Sequence, residues 1–65
     1  MEMSEREQIF EKMLSDILSE YDNILLRMEK LRAEDKTKTV TYRELMGKKM
    51  IYKNIIDIYK SYGLA

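Results

Sequence analysis

Apolar side chains in the first half of the chain fall at Phe10, Leu14, Ile17, Tyr21, Ile24, Met28 and Leu31, in steps that alternate between four and three. Such an uninterrupted heptad seam marks one stripe of an α-helix. Leu18 and Leu25 widen the seam on one side and Met13 on the other, filling an arc of ~140° at the helical 100° per residue. In the second half, Leu45, Ile51, Tyr52, Ile55, Ile56, Ile58, Tyr59 and Tyr62 fill an arc of ~160°. Many of these are β-branched or aromatic, as in strands, but the length of the run and its spacing decide for helix.

Between the two runs lies Glu34-Asp35-Lys36-Thr37-Lys38-Thr39, which has no apolar residue and reads as a connector over about 34–40. Ser4-Glu5-Arg6-Glu7 has the form of a capping box and opens the first helix. Thr41-Tyr42-Arg43-Glu44 has the same form, with Val40 placed to staple onto Leu45. Gly63 suits the left-handed position that ends a helix, with Leu64 set to touch Tyr59 and Lys60 suited to the negative end of the dipole. Proline is absent, and Gly47 marks a close helix approach or a mild kink. The expected fold is all-α, one domain over 1–65, an antiparallel hairpin of helices at about 4–33 and 41–62.

A hairpin held by a single contact needs only a narrow seam on each helix. Arcs this wide let each helix touch two neighbours, as in a four-helix bundle. The chain has 65 residues, and natural folds below ~70–80 residues usually rely on disulfides, a metal or a partner subunit. Cysteine and histidine are both absent, which removes disulfides and the commonest metal ligand. The hairpin is therefore expected to dimerise into a four-helix bundle. The expected dimer core is Phe10, Leu14, Ile17, Tyr21, Ile24, Met28 and Leu31 with Leu45, Tyr52, Ile55, Ile56 and Tyr59. At 1.5 Å per residue the first helix outruns the second by about two turns. Ile9 and Phe10 are then expected to overhang and meet a second subunit or an outside partner.

The formal net charge is zero, but residues 1–35 carry ten acidic and five basic side chains, and residues 36–65 carry two acidic and seven basic. Opposite balances of −5 and +5 favour folding one half onto the other. The plainer reading is two solvated helices that happen to differ in charge. No apolar run approaches the ~20 residues of a membrane span, and the N-terminus has no signal-peptide pattern, so the expected location is intracellular, without membrane association. Met1-Glu2-Met3 leaves open which methionine is the natural start.

Enzymatic chemistry finds little purchase. Nucleophilic triads need a base that this sequence does not offer, and Glu-x-x-His metal motifs cannot be built without histidine. Asp16/Glu20 and Glu7/Glu11 read as solvated outer-face carboxylates. Gly47-Lys48-Lys49 lacks the upstream glycine and preceding strand of a phosphate loop. No catalytic residue, cofactor or metal is expected. The expected role is a non-enzymatic adaptor, a rigid homodimer presenting its outer faces to a protein partner. Leu26 on the outer face of the first helix and Met46 and Met50 on that of the second are candidate partner contacts. Isolated exposed apolar residues also occur by chance. The alternative is nucleic-acid binding through Lys49, Lys53 and Lys60, which fall within ~40° of one another. A neutral chain with an acidic first helix argues against it.

Phe10-Glu11-Lys12-Met13-Leu14-Ser15-Asp16-Ile17-Leu18, the charged connector and the Ile/Tyr/Lys-rich second helix together resemble a family of small proteins from spindle-shaped viruses of hyperthermophilic archaea, the fuselloviruses. The resemblance covers nearly the whole chain and rests on pattern and composition, with no ligand motif to match. It implies a dimeric antiparallel four-helix bundle, similar in outline to the plasmid-encoded Rop protein, with an adaptor role in the cytoplasm of an infected host. Abundant Glu, Lys and Ile with no Cys fit a thermophile, whereas six methionines fit it poorly.

Overall fold

A computed structural model describes residues 4–65, which form two α-helices, α1 (Glu5–Ala33) and α2 (Val40–Ser61). The helices pack antiparallel. At one end Met28 shares a buried cluster with Tyr42, and at the other the rings of Phe10 and Tyr59 meet edge to face at 6.1 Å. No strand occurs among the described residues.

The start of α1 matches its sequence signal. The Ser4 hydroxyl accepts from the Glu7 amide at 3.2 Å, and Glu5 and Glu7 sit at the positive end of the dipole. Its end does not rely on glycine. Asp35 takes the left-handed conformation at φ 57°, the Lys36 amide donates to the Leu31 carbonyl, and the Asp35 amide donates to that of Arg32. This is a Schellman closure built on aspartate, whose short polar side chain tolerates that region better than most.

α2 begins at Val40, one residue earlier than the capping-box reading, and its cap is Thr39 rather than Thr41. The Thr39 hydroxyl accepts from the Tyr42 amide at 3.2 Å and donates to the Lys36 carbonyl at 2.8 Å. One side chain thus caps the helix and closes the connector, a double role open to Thr39 because of its place in the turn. Val40 consequently lies inside the helix, 69% exposed, and does not serve as a staple for Leu45. At the far end the expected Schellman motif is present. Gly63 has φ 75°, its amide donates to the Lys60 carbonyl, and the Leu64 amide donates to that of Tyr59. A Cβ added at Gly47 would meet nothing within 4 Å, so close approach of the two helices does not explain that glycine.

Leu14, Ile24, Met28, Leu45 and Ile56 of the expected core are buried, and Ile17, Tyr21, Leu31, Tyr52, Ile55 and Tyr59 are half-buried. Tyr42, read from sequence only as part of a cap, is buried too. It opens a seam of Tyr42, Leu45, Lys49, Tyr52, Ile56 and Tyr59, in steps of three and four, that faces α1. Phe10 is only half covered, at 48% exposure. It does not overhang, because Tyr59 of the same hairpin meets it. From the Met28–Tyr42 contact the two helices count back almost equally, so α1 projects by roughly one turn.

The hairpin is long and thin, 50 × 18 × 15 Å, with a radius of gyration of 15.0 Å. A compact chain of 65 residues would have a radius of about 11 Å. It exposes 5609 Å2, whereas a compact monomer of 7.9 kDa exposes about 4,400 Å2. The surplus, roughly 1,200 Å2, exceeds the ~800 Å2 that each partner contributes to a standard protein interface.

Candidate interaction surface

Burial is uneven along the hairpin. Ile24, Met28, Tyr42 and Leu45 form a buried cluster near the connector, with Leu31 and Tyr52 packed against it. Toward the open end only Leu14 and Ile56 are buried. Exposed large apolar side chains there are Ile9, Phe10, Met13, Leu18, Ile51, Ile58, Tyr62 and Leu64, while Ile17, Ile55 and Tyr59 are half-buried.

These exposed residues are ordered. On α2, Ile51, Ile55, Ile58 and Tyr62 follow steps of four, three and four, a second seam about 120° around the helix from the one that faces α1. Carried back toward the connector, the same register reaches Lys48 and Glu44. On α1, Ile9 and Met13 start a seam that continues through Asp16, Glu20, Asn23, Arg27 and Lys30. The outer seam of α2 is therefore apolar toward the open end and polar toward the connector, whereas that of α1 is apolar at Ile9 and Met13 and turns acidic at Asp16, still in the open half.

Two shallow recesses on the surface follow the same division. One of about 300 Å3 at the open end is lined by Phe10, Ile55, Ile58, Tyr59, Tyr62 and Leu64, all apolar or aromatic. The other, about 420 Å3 near the connector, has Arg27, Lys30, Glu34 and Lys36 in its wall. Exposed aromatic and branched side chains in a contiguous groove are the usual makings of a protein contact.

The other candidate residues are spread apart. Leu26 is exposed, 64%, on the side of α1 away from α2. Met46 and Met50 are exposed one turn apart, but on the flank of α2 opposite its outer seam, so they do not join the groove. Lys49 is half-buried within the seam that faces α1, while Lys53 and Lys60 are exposed. The three lysines therefore follow the crease between the helices and do not stand clear on an outer face. The two ion pairs among the described residues, Lys12–Asp16 and Glu34–Lys36, both at 3.3 Å, are local and do not join α1 to α2. Lys12 and Asp16 are largely solvated, so their pairing adds little. No group of three acidic side chains among the described residues is placed to hold a metal ion, and no helix there is long and apolar enough to cross a membrane.

Compared with known proteins, the chain matches no family model, no curated protein and no solved structure.

Proposed function

We propose that the chain is a non-enzymatic interaction module whose hairpins pair into a homodimeric four-helix bundle, and that the bundle acts as an adaptor for a protein partner inside the cell. The observation that carries this reading is the second apolar seam of α2, in which Ile51, Ile58 and Tyr62 are exposed and Ile55 is half-buried, away from the seam that faces α1. A second copy is the occupant that the excess surface favours, since a two-fold contact covers the same seam on both chains at once. A dimer would also display each outer-face residue twice, and duplicated weak contacts bind with avidity. The resemblance to the fuselloviral bundle proteins supports the same reading and would place the adaptor in the host cytoplasm.

Light scattering over a dilution series tests the proposal. The expected mass is twice the 7.9 kDa of the chain, held to low micromolar concentration. A monomer at every concentration would refute it. The second reading, nucleic-acid binding, has one observation in its favour: Lys53 and Lys60 are exposed and in no ion pair among the described residues. Adding short duplex DNA and RNA to the same measurement decides it, because binding through lysines would appear at low salt and vanish as salt rises.

A further inference from the structure

We infer that the two copies pack face to face along their whole length with both connectors at the same end, so that α1 of each lies against α2 of its partner. This rests on the dimer proposed above and specifies its geometry. Thr41 stands three residues before Glu44 and continues the outer seam of α2 toward the connector. It lines one recess together with Arg27 and Lys30 of the outer seam of α1, so both outer seams open on one face of the hairpin. The contacts that set the hairpin's own register, Phe10 with Tyr59 and Met28 with Tyr42 and Leu45, also set which seam positions share a level. Ile9 stands level with Tyr62, Met13 with Ile58, Arg27 with Glu44 and Lys30 with Thr41.

A four-helix bundle can stack two such faces about either of two axes, which differ in what they bring together. A two-fold running along the bundle keeps every level and exchanges the helices, so each position of α1 meets its own level on the partner's α2. Ile9 then packs on the partner's Tyr62 and Met13 on the partner's Ile58, apolar on apolar. Arg27 meets the partner's Glu44, a pair of opposite charge. Two levels in between are mixed, Asp16 with Ile55 and Glu20 with Ile51. Asp16 keeps its ion pair with Lys12, and Glu20 lies about one turn from the partner's Lys48. Lys30 ends the seam at the connector, where Glu34 and Lys36 neutralise each other. A two-fold running across the bundle instead reverses the levels and stacks each helix on its own copy. Ile9 and Met13 would then cover Lys30 and Arg27, Ile55 and Ile58 would cover Lys48 and Glu44, and Glu20 would meet the partner's Glu20. Charges taken from water against apolar side chains, or set against like charges, are costly. The lengthwise axis leaves fewer such contacts.

The chain has no cysteine, so single thiols can be introduced cleanly for spin labelling. Lys38→Cys reports on the connector and Ala65→Cys on the open end, both at exposed positions outside the seams. With 1.5 Å rise per residue and helix axes about 8–10 Å apart, the lengthwise axis gives label separations below ~30 Å at both positions. Pulsed dipolar measurements read both, and light scattering on the same samples reports the mass. Separations of ~40–45 Å at both positions would mean the crosswise axis and would overturn the inference while leaving the dimer standing. A short separation at position 65 with one above ~55 Å at position 38 would mean a staggered contact of the open ends and overturn it equally. A monomeric mass without dipolar coupling would remove the dimer itself, and the inference with it.

Discussion

Truncating Ile58 to alanine separates a lone hairpin from a docked one. The substitution removes three carbons, worth ~2.4 kcal/mol if fully buried at about 0.8 kcal/mol per CH2. Within the hairpin Ile58 is 59% exposed, so the hairpin itself loses only ~1 kcal/mol, part of it offset by alanine's better helix propensity. The remaining ~1.4 kcal/mol is realised only when a second copy covers the side chain. A two-fold interface contains the residue twice, so the dimer loses ~2.8 kcal/mol, a rise of about a hundredfold in dissociation constant. Sedimentation equilibrium measures that change, and far-UV circular dichroism checks that the helices remain. Ile24→Ala supplies the contrast. Ile24 is 1% exposed inside the connector-half cluster, so its loss costs about 2–5 kcal/mol of folding and lowers the urea midpoint directly. If Ile58→Ala shifts the dissociation constant less than about threefold, the outer seam is not an interface and the argument from exposed area fails.

Gly47→Ala should stabilise the protein by about 0.8–1 kcal/mol and raise the melting temperature by several degrees, since the added methyl meets nothing within 4 Å and glycine is a poor residue in a helix interior; a fall in melting temperature would show that something closes on this position in the assembled protein. Asp35→Gly should add roughly 0.5–1 kcal/mol by relieving the left-handed conformation at φ 57°, read as a higher urea midpoint with unchanged slope. Thr39→Ala should cost about 1 kcal/mol, whereas Thr41→Ala should stay within ~0.5 kcal/mol of zero; equal effects would contradict the placement of the cap.

The two helices were legible because their seams repeat for many turns, and repetition averages out individual preferences. Single residues at the ends were harder. Thr39 and Thr41 offer the same cap chemistry, and the choice between them depends on the Lys36 carbonyl, whose position exists only once the connector has folded. Tyr42 stands three residues before Leu45 and continues the seam backward, but it falls inside a cap signal that hides its place in the core. Asp35 carried no glycine signal, so the closure of α1 was silent in the sequence. Lys49 shows the opposite error: grouped with Lys53 and Lys60 by angle, it occupies a position within the packed seam. The interaction surface was half legible. The wide apolar arc of α2 was visible as one feature, but it comprises two seams, and only the packing of α1 shows which of them is left over.

Charge separation between the halves has a smaller part in the hairpin than its size suggests. Residues 1–35 and 36–65 carry −5 and +5, yet both ion pairs among the described residues bind neighbours in sequence. The attraction between α1 and α2 is therefore a diffuse field, screened within about 8–10 Å at ordinary salt. What fixes register is the apolar seam from Tyr42 to Tyr59 against its counterpart from Phe10 to Met28. The outer seams near the connector carry charged positions, Glu44, Lys48, Glu20 and Arg27, whereas the apolar positions of the outer seam of α2 lie toward the open end.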